Sequence, residues 1–199
     1  VYQFNKYKTQ DLDKIKNLDK VTLVVDKDIL SEAGKIISEA SLFAETVNKT
    51  RDLVNIPPNI ATPSYLADYA KEIARKNSLK CTILEENEIE KLGMECFMAV
   101  AKGSANKPRI VLLEYHGKGN EAPIVLVGKG ITFDTGGINV KPPAYMTTMK
   151  DDKAGACGVI NILEACAKLK LKINIVGIAA LAENMVSGKS YRPDDVLKS

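Results

Sequence analysis

Tryptophan is absent from this sequence, histidine occurs once, and cysteine occurs four times in 199 residues. No apolar run approaches the ~18 residues that a membrane-crossing helix needs, and the opening VYQFNKYKTQ does not read as a signal peptide. No membrane role and no secretion are therefore expected. An excess of charge is missing too. Lys plus Arg is 28 against 25 Asp plus Glu, a net +3, without the strongly basic character of a dedicated nucleic-acid binder. Cys81, Cys96, Cys157 and Cys166 are separated by 15, 61 and 9 positions, which is neither a C-x-x-C pair nor a zinc-ribbon spacing. They are expected to be buried free thiols in a reducing cytoplasm. The one histidine, His116, stands beside Gly117 between two apolar runs, in what reads as a turn. A Ser-His-Asp triad would have to be built on it, and there is no H-E-x-x-H. Metal chemistry in this chain must use mostly oxygen ligands, with something unusual added.

What is present is the composition of a globular domain. At 45% hydrophobic and 27% charged residues, the chain has enough apolar side chains for a core, and its length corresponds to one domain or at most two. Val21–Val25 (VTLVV) reads as a strand. From Asp28, Ile29, Ala33, Ile36, Ile37, Ala40, Phe43, Ala44 and Val47 recur at helical spacing, predicting an amphipathic helix to about Leu53. NIPPNIATP then breaks it. Thr62-Pro63 is the pattern of an N-cap followed by proline at the first helical position, opening a helix with Leu66, Tyr69, Ala70 and Ile73 on one face. A strand (Cys81–Leu84) and a helix (Glu86–Leu92) stopped by Gly93 follow. RIVLLEY (109–115) and PIVLV (123–127), joined by HGKGNEA, are expected to form an antiparallel hairpin. After a glycine-rich segment, 152–169 has helical periodicity, and INIVGIAAL (173–181) is apolar enough for a strand buried on both faces. Strand, helix, strand in that order is a right-handed crossover. The fold class is α/β, with a mixed β-sheet flanked by helices.

The stretch VGKGITFDTGGINVKPPAYMTTMKDDKAGA (127–156) crowds Lys129, Asp134, Lys141, Lys150, Asp151, Asp152 and Lys153 among glycines. It leaves the carboxyl end of a buried strand, where open α/β sheets place ligands. Three readings fit the residues. One is a phosphate cradle, although G-x-x-x-x-G-K-S/T and G-x-G-x-x-G are both missing. The second is a solvated loop. The third is a metal site in which Asp134 and Asp152 approach one centre, with a lysine amine that ligates once it has lost its proton. Spacing alone does not choose among them.

At these residues the chain resembles the leucyl aminopeptidase (cytosol aminopeptidase) family of dinuclear metallopeptidases. The family pattern V-G-K-G-I/L-T-F-D-S/T-G-G is intact as VGKGITFDTGG, followed by INVKP. RDLVNIPPNIATP resembles the family's R-x-L-x-N-x-P-x-N-x-x-T-P, AVAKGS its A-V-x-x-G-S, and AENMVSGKSYRPDDVL its C-E-N-M-x-x-G-x-A-x-R/K-P-G-D-V. The resemblance implies an α/β/α sandwich of the zinc-dependent exopeptidase kind. It also implies a cytoplasmic hydrolase that releases N-terminal residues, often leucine, from peptides with a free amino terminus. By position, Lys129 matches the metal-ligating lysine, Asp134 the carboxylate bridging both metals, and Asp152 a carboxylate of the lysine's site. Lys141 matches the lysine that polarises the scissile carbonyl, and Met149 a residue lining the pocket for the first side chain. Two divalent cations, zinc or manganese with magnesium also admissible, would acidify a bridging water. A homo-hexamer is the implied assembly, with neither membrane nor nucleic acid as a partner. A non-catalytic or DNA-binding relative is the alternative function.

Four substitutions and one missing element depart from the family. Lys153 replaces a usual methionine, and Asp151 stands where an uncharged residue or tyrosine is common; both are expected to put charge beside the site. Ala182 replaces a cysteine and Asp194 a glycine. The family's N-T-D-A-E-G-R element, which supplies further carboxylate ligands and an arginine holding a bicarbonate as general base, does not occur here. The resemblance therefore implies an internal fragment. Residues 1–27 would be the end of an N-terminal domain and its linker, and 28–199 the first part of a catalytic domain, incomplete and inactive by itself.

Overall fold

The computed structural model describes residues 2–10 and 18–198. Its elements are α1 (Leu30–Asn55), entered through a 3-10 turn at Lys27–Ile29, then α2 (Pro63–Asn77), β1 (Lys80–Leu84), α3 (Glu86–Lys91), α4 (Glu95–Ala101), β2 (Arg109–His116), β3 (Ile124–Asp134), α5 (Pro143–Met146), a 3-10 turn at Met149–Lys153, α6 (Ala154–Lys168) and β4 (Asn174–Asn184). Local chemistry accounts for the boundaries. Thr62 Oγ1 accepts from the Tyr65 N–H at 3.2 Å with Pro63 in the first turn, the expected cap. Glu85 and Glu88 form a capping box on α3, and Gly93 ends that region at φ +69°, a left-handed position that glycine takes without a Cβ clash.

The sheet order is β1-β2-β4-β3. β1 with β2 and β2 with β4 are antiparallel, whereas β3 and β4 are parallel and are joined by the crossover helix α6, as predicted. The hairpin is not formed. β4 lies between β2 and β3, so HGKGNEA passes over the start of β4 instead of closing a tight turn. Asn174 anchors that passage: its Oδ1 accepts from the Lys118 N–H at 2.9 Å, and its Nδ2 donates to the Lys118, Gly119 and Glu121 carbonyls at 3.1, 3.1 and 2.7 Å. A short apolar run cannot state which strand is its neighbour; the long parallel pairing of β3 with β4 decided it. Val21–Val25 forms no strand, and Val24 is 93% exposed. His116 is the last residue of β2, not part of the turn, and its side chain is exposed.

Helices lie on both faces of the sheet. α1, α2 and α6 share the large core, in which Leu66, Ala70, Val111, Leu113, Ile160, Leu163 and Leu181 are buried. On the opposite face α4 packs Ala101, Phe97 and Val100 against Ile131 and Ala182. The opposite parity of Leu181 and Ala182 on β4 sends them to different layers. Cys157 and Cys166 are buried and free as expected, but Cys81 is only half-buried and Cys96 is exposed. α1 spans its predicted length, yet of its apolar stripe Ile36, Phe43 and Val47 remain exposed.

Candidate metal centre

β3 continues through the glycines as far as Asp134, so Lys129 stands on a strand and not in a loop. Close packing explains the glycines. A Cβ on Gly128 would lie 2.5 Å from the Gly155 carbonyl oxygen, and one on Gly155 would lie 3.0 Å from the Lys129 backbone nitrogen. The start of α6 is therefore pressed directly onto β3, which carries the preceding Met149–Lys153 turn over the end of the strand.

Two ion pairs result. Lys129 Nζ is 3.1 Å from Asp152 Oδ2, and Lys141 Nζ is 2.8 Å from Asp134 Oδ2. Lys141 Nζ also lies 3.3 Å from Met149 Sδ, and the Asp152 charge acts on it from the neighbouring pair. The residues singled out from sequence, Lys129, Asp134, Lys141, Met149 and Asp152, are thus gathered on β3, the loop after it and the turn before α6. Burial pushes the Asp134 carboxyl up, but hydrogen bonds from Lys141, the Gly136 N–H and Asn184 outweigh it and hold the group below its ordinary value. The hydrogen bond to Asp134 holds the Lys141 ammonium above its ordinary value, so it stays charged.

Asp152 Oδ2 is buried and, among the described residues, receives no directed hydrogen bond, the Lys129 ammonium lying 3.1 Å away. A buried carboxylate oxygen that receives no directed hydrogen bond is undersatisfied and is the kind of atom a divalent cation satisfies. Two carboxylates with an amine suit a hard or borderline cation, so these donors fit the implied metal. They are only part of a shell, because no group of three or more His, Cys, Asp or Glu side chains able to hold an ion occurs among the described residues.

The departures take up particular places. Lys153 does not face the ion pairs. It is fully buried, its Nζ donating to the Ile56 and Lys150 carbonyls at 3.1 and 2.6 Å, and burial pulls its ammonium down to about 8. Asp151 is exposed. Asp194 sits at φ +69°, a left-handed position that glycine takes without strain, and pairs with Lys150 at 3.0 Å. Two sets of contacts were missed from sequence. Asn184 Nδ2 donates to Asp134 Oδ1 at 2.7 Å, and buried Glu183 accepts from Ser104, Asn106 and Arg192, the last also paired with Asp195. Their only sequence signal was membership of the matched segments AVAKGS and AENMVSGKSYRPDDVL.

Together these features define an α/β domain with a lysine–carboxylate cluster at the carboxyl end of a parallel strand. The profile of the cytosol aminopeptidase family, catalytic domain, matches residues 48–199, and the chain belongs to that family. It is 44% identical over 199 residues to a probable cytosol aminopeptidase of Persephonella marina, covering all of this chain and 39% of the relative. It is 45% identical to the cytosol aminopeptidase of Pseudomonas aeruginosa strain PAO1, covering 99% of this chain and 40% of the relative. Among solved structures it is similar to the bottromycin maturation enzyme BotP in complex with Mn, with a TM-score of 0.79 at 33% identity over 98% of this chain and 40% of that one. An apo leucyl aminopeptidase from Trypanosoma cruzi gives 0.71 at 30% identity over 79% and 31%. The chain spans about 40% of the length of the curated relatives it matches.

Proposed function

We propose that these residues form part of the catalytic domain of a metal-dependent aminopeptidase that releases N-terminal amino acids, leucine among them, from peptides. Residues 1–27 are read as the end of a preceding domain with its linker, and 28–199 as the first part of the catalytic domain. The observation that carries the reading is the pairing of Lys129 with Asp152 beside that of Lys141 with Asp134, in a chain whose relatives are named cytosol aminopeptidases.

Lys129, Asp134 and Asp152 would hold two divalent cations, zinc or manganese with magnesium admissible; a bound manganese in BotP supports the metal class. When bound, such ions supply Lewis acidity and an acidified water. The remaining work falls to the chain's own groups. Asp134 stays ionised under its three donors and keeps its carboxylate available as a ligand. Lys141, held protonated, meets the negative charge that develops on the scissile carbonyl oxygen, a contribution of about 10²–10³ in kcat for one such donor. Met149, against the Lys141 ammonium, lines the pocket for the first side chain. The complete protein would add further carboxylates and a bicarbonate. It is read as a cytoplasmic homo-hexamer. Among the described residues no helix is long and apolar enough to cross a membrane.

With only two carboxylates and an amine in the cluster, the 199 residues alone are proposed to be inactive. With added Mn²⁺ or Zn²⁺, the intact protein should hydrolyse leucine-p-nitroanilide and the 199-residue chain should not. In the intact protein, Lys141→Ala should lower kcat by about 10²–10³. Cleavage by the short chain that is abolished by Asp134→Ala would show that the cluster is sufficient. An unchanged kcat in Lys141→Ala would remove that lysine from the chemistry.

A further inference from the structure

β4 ends in two consecutive polar residues whose side chains leave opposite faces of the strand. Glu183 points into the buried clasp with Ser104, Asn106 and Arg192. Asn184 points to Asp134, its register partner across the parallel pairing, beyond an irregularity between Ile131 and Asp134. The carbonyl and the side-chain amide of Asn184 both contact the segment that carries this aspartate. Its carbonyl accepts from Thr135 N at 3.0 Å and from Thr135 Oγ1 at 2.9 Å. Its Nδ2 donates to Asp134 Oδ1 at 2.7 Å, and Gly136 N donates to the same oxygen at 3.0 Å.

Oδ1 is therefore held by two neutral donors, the Asn184 side-chain amide and the Gly136 backbone N–H, while Oδ2 faces Lys141 at 2.8 Å. Two donors on one oxygen fix the rotation of a carboxylate, which a flexible lysine alone does not. The clasp on the other side of the strand keeps the Asn184 backbone in place. Among the described residues the Asn184 amide donates to Asp134 alone; a merely structural residue at the end of a strand needs only its backbone groups.

We propose that Asn184 is the positioning residue for Asp134, orienting its carboxylate so that Oδ2 is presented to a divalent cation. The inference rests on the metal reading above. It predicts that Asn184 acts on cation affinity more than on folding, as carboxylates and amides behind metal ligands do.

The test is titration of Mn²⁺ into the intact protein, following loss of the free-ion EPR signal, for wild type, Asn184→Leu, Asn184→Ala and Ser104→Ala. Circular dichroism melts of the metal-free proteins run alongside. Ser104→Ala weakens the clasp from the opposite face and leaves the Asn184–Asp134 bond intact. The two Asn184 variants should bind Mn²⁺ about 10–100-fold more weakly than wild type, and Ser104→Ala should bind as wild type does even where its melting temperature falls. Having two Asn184 variants, one near in size and one smaller, keeps the test open if either fails to fold. Wild-type affinity in a folded Asn184 variant would overturn the positioning role, as would an equal loss of affinity in Ser104→Ala. Absence of Mn²⁺ binding by wild type would instead overturn the metal reading, and this inference with it.

Discussion

Asp194 adopts φ +69°, a left-handed position that favours glycine, and its ion pair with Lys150 is itself partly exposed. The left-handed conformation costs a Cβ-bearing residue about 1–2 kcal/mol, less for aspartate than for a branched residue. A partly exposed pair returns about 0–1 kcal/mol. Asp194→Gly should therefore change stability by less than about 1 kcal/mol, because relief of strain is offset by the lost pair and a freer unfolded chain. Asp194→Val should cost about 1–2 kcal/mol or more. Urea unfolding midpoints check both, and equal midpoints for the two variants would refute the strain argument. Lys153 shows the limit of reading at this scale. Its position after Asp152 pointed to a charge beside the metal, yet its side chain turns under the 3-10 turn to the Ile56 carbonyl. Neighbours in sequence share a locality but not a direction.

At the scale of elements, the site depends on how closely α6 approaches β3. Gly128 faces the Gly155 carbonyl with no room for a methyl group, so Gly128→Ala should destabilise by about 1–3 kcal/mol through overpacking and displace Asp152 from Lys129. Mn²⁺ affinity and the denaturation midpoint should fall together. A variant with lowered stability but intact affinity would mean that the contact sets packing alone. The amphipathic period of α1 and α6, the Thr62 cap and the apolar run of β4 were legible in sequence, because each is written in consecutive residues. The order of strands was not. β2 and β3 are equally apolar and joined by a short link, and only the third partner, β4, brought by α6, decides that they do not touch.

Over the whole molecule, apolar surface remains uncovered along α1 and on β3, where Val125 and Val127 are 53% and 71% exposed. β3 has no partner on its outer side among the described residues. Exposed edges with apolar side chains favour association. The 199-residue chain by itself should therefore enhance ANS fluorescence and associate with rising concentration in light scattering, and Val127→Lys should reduce both. A monomer at all concentrations, dark with ANS, would contradict this.

The amino-acid sequence by itself determined the α/β class, the family and the residues on which to focus, because motif and periodicity are local properties of a chain. The tertiary structure decided which of those residues meet. Lys129 pairs with Asp152 and Lys141 with Asp134, Lys153 turns inward, and Asn184, fifty positions from Asp134, supplies its hydrogen bond. Hydrogen bonds and close packing depend on distances in space, which the parallel pairing of β3 with β4 sets and spacing along the chain does not encode.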